Sequence, residues 1–247
     1  MRIGLFVPCY IDAFFPEVGI ATLELLERFD LDVDYPFDQT CCGQPMANSG
    51  CHTEAAATER LFVDNFAGFD YVVCPSGSCV NHVRSKFTAI EQTEAVTEVR
   101  SKTFELVEFL HDILKVEAFP WAAFPHKVGL HNGCGSLRGL NHASPSELNV
   151  PFFSKPLDLL SKVEGIEFVS PARPDECCGF GGTFSVFEEA VSVKMGQDKV
   201  ADHTKAGAAY IVSADTSCLM HQKGVAARQG SPMKFIHIAE VLNGARQ

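Results

Sequence analysis

The chain has 247 residues, 46% of them hydrophobic and 21% charged, with a formal net charge of −11. That length allows one large domain or two of roughly 120 residues each. The acidic balance excludes a nucleic-acid partner, which needs a basic surface, and no apolar run reaches the ~18–20 residues that insert across a membrane.

The opening stretch MRIGLFVPCYIDAFF looks superficially like a leader. Pro8, Cys9 and Asp12 interrupt it and no small-residue cleavage site follows, so it reads as a first buried strand of a cytoplasmic protein. Ile20, Leu23, Leu26 and Phe29 recur at helical spacing and predict a helix over 17–29. LDVDY (31–35) is a weak second strand, 52–66 a helix, YVVC (71–74) a strand and FELVEFLHDIL (104–114) a helix. Pro120 and Pro125 bracket a short linker at 119–127. Beyond it, 127–131, 166–170 and 210–213 read as strands, and 155–163 and 183–206 as helices. A last strand at 234–238 leads into a helix over 239–244, stopped by Gly244. Strands alternating with helices imply parallel sheets covered on both faces, an α/β fold.

Three segments recur in the same order. RIGLFVPC (2–9) parallels KVGLHNGC (127–134), DQTCCG (38–43) parallels PDECCG (174–179), and FDYVVCPSGSC (69–79) parallels AAYIVSADTSC (208–218). The chain is therefore expected to hold two pseudo-repeated halves, 1–122 and 123–247. Each would be a small parallel sheet flanked by helices, with a cysteine cluster at the C-terminal edge of the strands, where open α/β sheets gather their sites.

Of the ten cysteines, eight are paired by the repeat: Cys9, Cys41, Cys42 and Cys79 with Cys134, Cys177, Cys178 and Cys218. In a reducing compartment such a set points to metal ligation or redox chemistry rather than to disulfides. Four soft ligands per half suit zinc or an iron–sulfur cluster. Adjacent cysteines strain a single tetrahedral zinc but readily bind two irons of one cluster, which favours iron–sulfur; zinc and a dithiol redox pair are the alternatives. Gly43 and Gly179 would let the backbone approach such a cluster and donate N–H groups to it. Cys51 has no counterpart and reads as a free thiol. Cys74 either packs in the core or serves as an extra ligand. His131 is a candidate proton carrier or hydrogen-bond donor, and Arg138 a candidate for balancing cluster charge or holding a carboxylate. GFGG (179–182) lacks the lysine and serine or threonine of a phosphate loop, and His237 reads as packing.

The pattern of a cysteine, a Cys-Cys-Gly and a further cysteine, present twice, resembles the cysteine-rich CCG domain. That domain occurs in heterodisulfide reductase B subunits, the glycolate oxidase iron–sulfur subunit and lactate utilization proteins. CCGQPMANSG, CPSGSC, CCGFGGTFSV, CLMHQKG and HIAEVLNG resemble the lactate utilization protein A family over essentially the whole chain. The resemblance implies one or two 4Fe–4S-type clusters, cubane or non-cubane, in an electron-transfer subunit of an L-lactate-oxidising complex, inactive alone. It also implies a small 2-hydroxy acid substrate of the complex, a ferredoxin-type iron–sulfur partner and a third subunit. A heterodisulfide-type thiol–disulfide reductase subunit and a structural zinc protein are the rivals. The heterodisulfide reductase relatives close each motif with Cys-x-x-Cys; here Ser76 and Asp215 stand at the earlier cysteine positions. Cys74 and Asp215 are thus weaker candidate ligands, and zinc in one site is an alternative. The second half, with its glycines, His131 and Arg138, is expected to be the substrate-facing redox site.

Overall fold

The structure, a computed structural model, describes residues 1–245. Two four-stranded, wholly parallel sheets follow one another along the chain. The first contains β1 (Arg2–Leu5), β2 (Asp32–Asp34), β3 (Tyr71–Cys74) and β4 (Thr103–Glu105), in the order β2-β1-β3-β4. The second contains β5 (Lys127–Leu130), β6 (Glu167–Val169), β7 (Tyr210–Ser213) and β8 (Lys234–His237), in the equivalent order β6-β5-β7-β8. Ile3 pairs with Tyr71 as Val128 pairs with Tyr210, so the central strands share a register. The expected α/β architecture of two repeated halves is what the chain adopts.

The local differences from expectation have physical causes. Residues 104–114 do not form one helix: β4 takes its start, followed by the helix Leu106–Glu108 and a wider turn at Phe109–Ile113. Glu105 ends the strand, and its side chain accepts a hydrogen bond from Val107 N, capping the helix that follows. The long helix expected over 183–206 is broken at Glu188, giving Phe184–Phe187 and Glu189–Lys205. Helices at Cys9–Phe14 and Glu94–Ser101 were not foreseen from periodicity.

The halves share one core. Leu5, Leu25 and Phe109 of the first pack in the same buried cluster as Val128, Leu159 and Val241 of the second. The closing helix of each half lies on a helix of the other: Ile238–Leu242 on Pro16–Glu27, and Leu106–Glu108 on Lys155–Leu160. Trp121 Nε1 donates to Leu242 O at 3.0 Å and Arg28 Nε to Asn243 Oδ1 at 2.8 Å across the same seam. Near the cysteines the exchange repeats, with Gly77–Lys86 against Gly135–Gly139 and Cys9–Phe14 against Thr216–Arg228. Glycine permits that approach: a Cβ on Gly77 would collide with Ser136 Oγ, and one on Gly139 with the Asn81 amide. Among the described residues, no helix is long and apolar enough to cross a membrane.

Candidate metal centre

Each cysteine is delivered by the end of a strand or the start of a helix. Cys9 opens the helix after β1, and Cys134 directly precedes the turn Gly135–Gly139 after β5. Cys41-Cys42-Gly43 and Cys177-Cys178-Gly179 are loops leading towards short helices. Cys79 and Cys218 stand in the first turns of Gly77–Lys86 and Thr216–Arg228. Gly43 (φ 84°) and Gly179 (φ 92°) take the left-handed conformation. That turn aims backbone N–H groups back at sulfur: Gly43 N donates to Cys41 Sγ at 3.4 Å, Gly179 N to Cys177 Sγ at 3.4 Å, and Phe180 N to Cys178 Sγ at 3.5 Å.

Within the first group Cys9 Sγ lies 3.6 Å from Cys41 Sγ. Hydrogen bonds from Cys42 and then Cys9 pull the Cys41 thiol down to about 2. Hydrogen bonds from Cys134 and then Cys178 do the same to Cys177, also to about 2. The donating partners move the other way: the hydrogen bond to Cys41 raises Cys9 and Cys42, and that to Cys177 raises Cys134 and Cys178. Each group thus favours a thiolate at one position flanked by thiols that hydrogen-bond to it, a set that a soft metal can deprotonate and bind. Eight thiols, converging four by four with N–H groups aimed at their sulfurs, fit a soft metal centre. Exposure is graded alike at three positions, Cys9 and Cys134 being exposed, Cys41 and Cys177 intermediate, and Cys42 and Cys178 buried, whereas Cys79 is buried and Cys218 intermediate.

The two groups open side by side. A cleft of about 180 Å³ is lined by Cys9, Cys41, Cys42 and Cys79 together with Phe180, Val186 and Asp215 of the second half. A neighbouring cleft of about 470 Å³ is lined by Cys134, Cys177, Cys178 and Cys218 together with Gln44 and Ser78 of the first. Phe180, Gly182, Asp215 and Ser217 border both.

The weaker candidates fare differently. Asp215 is buried, with Oδ2 accepting from Ser78 N at 3.0 Å and Oδ1 from Ser217 Oγ at 2.7 Å, so its carboxylate caps the helix of the other half. Cys74 is fully buried in the apolar cluster of the first half, its Sγ 3.8 Å from Ser76 O, and burial raises its pKa. Cys51 stands exposed at the start of the helix His52–Phe66. Arg138 lines the second cleft, but Nε and Nη2 donate to the two oxygens of Glu147 at 2.5 and 3.0 Å, and Nη1 to Asp175 O. His131 is buried behind the sulfurs: one ligand atom each from His131, Cys178 and Cys218 lie within 4.8 Å of one another. Burial, with Lys199 and His203 nearby, lowers its pKa to about 3. His237 Nδ1 accepts from Ala239 N and caps the last helix.

Sequence reasoning passed over His82. It is fully buried, neither ring nitrogen has a hydrogen-bond partner among the described residues, and burial lowers its pKa to about 4. Its place three residues after Cys79, matched by His221 three after Cys218, was the available signal. Lys199 and His203, buried in the helix Glu189–Lys205, were likewise not foreseen.

Comparison with known proteins gives a consistent result. The family described as "Cysteine-rich domain" (CCG) matches residues 3–84 and again 128–223. A "Lactate utilization protein A" of Exiguobacterium sp. strain AT1b is 42% identical over 255 residues, covering 100% of this chain and 99% of the relative. One of Halalkalibacterium halodurans is 39% identical, covering 98% and 97%. Among solved structures, an aspartate racemase homologue from Pyrococcus horikoshii aligns over 98% of this chain and 95% of its own at 12% identity, and its TM-score of 0.32 carries no argument.

Proposed function

The chain belongs to the lactate utilization protein A family, built on the CCG domain, and on that premise we propose that it serves lactate utilization as the iron–sulfur electron-transfer subunit of an L-lactate-oxidising complex. The observation that carries the reading is the double convergence of four thiols with backbone N–H groups aimed at their sulfurs. Adjacent cysteines suit two irons of one cluster better than one zinc, so each group is read as the ligand set of a 4Fe–4S-type cluster. Such a cluster would supply one-electron storage. The chain's own part is to hold thiolates, to offer N–H donors, and to shelter Cys42 and Cys178 while Cys9 and Cys134 face outwards. The repeats are read as 1–122 and 123–247, supported by one sheet ending at Glu105 and the other beginning at Lys127.

Two-electron oxidation of a 2-hydroxy acid also needs a group that accepts the substrate's electrons and an onward carrier. A ferredoxin-type iron–sulfur partner and a third subunit fill those places, in a reducing cytoplasm that keeps ten cysteines unpaired. The exposed Phe14, Val186 and Phe187 support a docking face: Val186 lines the first cleft, and Phe14 packs on Tyr10, which lines it too. The test is reconstitution. The chain alone should not oxidise L-lactate, and the complex recovered with it at native levels should. Lactate oxidation by the pure chain, or turnover of a disulfide with no dependence on lactate, would replace this reading with an enzyme in its own right.

A further inference from the structure

The repeat allows each wall of the first cysteine group to be laid on its equivalent in the second. Phe6 N donates to Val73 O at 2.9 Å, and His131 N to Val212 O at 2.8 Å, so Phe6 and His131 occupy the same place after equivalent strands. The helix His52–Phe66 buries Ala55, Glu59, Phe62, Val63 and Phe66, with Ala56 in addition; Glu189–Lys205 buries Ser192, Gly196, Lys199, Val200 and His203 at the same intervals. Two glycines fix that register independently. A Cβ on Gly4 would meet the Phe66 ring, and one on Gly129, its counterpart, would collide with the His203 imidazole. Phe6, Phe62 and Phe66 are thus replaced by His131, Lys199 and His203.

In the first half the three rings pack on one another, with centroids 4.8 to 5.8 Å apart. In the second the same volume holds two imidazoles and an ammonium, all at most 1% exposed. Neither ring nitrogen of His131 or His203 has a partner among the described residues. Among the described residues, Lys199 Nζ donates to Arg173 O at 2.7 Å and Pro174 O at 3.1 Å, the carbonyls of the segment that leads into Cys177. The first half shows that this scaffold accepts an apolar wall, so the polar one is not demanded by folding. Both walls stand beside sulfur, Phe6, Phe62 and Phe66 packing with Cys42 and Cys79 and His131 lying within 4.8 Å of Cys178 and Cys218, so what differs between the two groups is the polarity of the wall.

We propose that the buried His131–Lys199–His203 wall makes the second cysteine group the higher-potential electron acceptor of the two, so that electrons collect there. The inference rests on the reading of both groups as iron–sulfur centres. One electron arrives from an iron–sulfur centre of the partner, and no bond is made or broken. The added negative charge meets an ammonium and imidazole N–H groups in a medium of low dielectric, which favours the reduced form. The phenylalanine wall offers no such stabilisation, and among the described residues His82 gives the first group a single unpartnered imidazole against the second group's two and a lysine. His131, Lys199 and His203 are positioning residues that act through the sulfurs.

The experiment uses full-length chains that keep one centre each, Cys41→Ser/Cys42→Ser holding the second and Cys177→Ser/Cys178→Ser the first, titrated potentiometrically with EPR detection. The second centre should titrate at the higher potential. His131→Phe and Lys199→Met should each lower it towards the first, with the iron content kept, and Phe6→His should raise the first. Equal potentials in the two single-centre chains, or a lower one for the second, would overturn the inference with no substitution in the wall required. Iron retained with an unmoved potential in His131→Phe and Lys199→Met would overturn it as well. Chains that bind no iron would overturn the underlying reading and this inference with it.

Discussion

Gly43 and Gly179 hold the same turn but stand in different surroundings. Replacing Gly43 by alanine meets only the left-handed backbone strain of about 1–2 kcal/mol, because the nearest side chain, Thr58, is 3.6 Å from the new Cβ. At Gly179 the Cβ would stand 2.5 Å from Ser192 O and 2.8 Å from Met195 Cβ, which adds about 1–3 kcal/mol of overpacking. Gly179→Ala should therefore lower the melting temperature more and lose metal from its group, whereas Gly43→Ala keeps its metal; metal analysis and thermal unfolding together check this, and the reverse order would contradict the geometry. At this scale much was legible. A Cys-Cys-Gly that recurs at matching distances leaves few other uses for its cysteines, and the structure gathers all eight by fours. Phe6 opposite His131 could also be read by laying RIGLFVPC on KVGLHNGC. Lys199 opposite Phe62 could not, because the connections differ in length and the helix register is set only in the fold, by burial and by the close approach of Gly4 and Gly129. Arg138 read as a candidate for balancing cluster charge or holding a carboxylate, and its pairing with Glu147, nine residues on, forms only through the fold.

Short elements hold the two groups in place, and their caps cross between halves. Asp215 accepts from the first turn of the helix that carries Cys79. Asp215→Ala removes that cap and leaves Ser78 N unpaired, at a cost of about 1–2 kcal/mol. Asp215→Asn, which keeps an acceptor, should retain most of it; denaturant midpoints measured on the two variants give the ranking, and equal losses would show that charge rather than hydrogen bonding matters. β4 was missed because Phe104, Val107, Leu110, Ile113 and Leu114 fall at helical spacing, and a three-residue strand is too short to show its own period. The repeat held the correction: Glu105 pairs with Cys74 as His237 pairs with Ser213, and each caps the helix that follows its strand.

The whole molecule is two repeats that have exchanged their packing. Because the closing helix of each half covers a helix of the other, and both contribute to one core, unfolding should be a single cooperative transition. Two resolved transitions in calorimetry would show instead that the repeats are independent. Phe187, 78% exposed and next in the chain to the cleft-lining Val186, belongs to the proposed docking face. Phe187→Asp should weaken capture of the partner severalfold while leaving metal content and melting temperature unchanged, and a pull-down at native expression levels measures it. That the sheets and cysteine groups were readable follows from duplication, which shows each motif twice; the exchange of helices was not, since nothing local in HIAEVLNG names its partner. The central claim is that both groups hold iron and sulfide. The direct measurement is iron, acid-labile sulfide and zinc per chain on anaerobically isolated protein, beside Cys41→Ser/Cys42→Ser. The account predicts iron and sulfide in near-equal amounts, with about half of each lost in the variant and the second group intact. Stoichiometric zinc without sulfide, or iron unchanged in the variant, would contradict it.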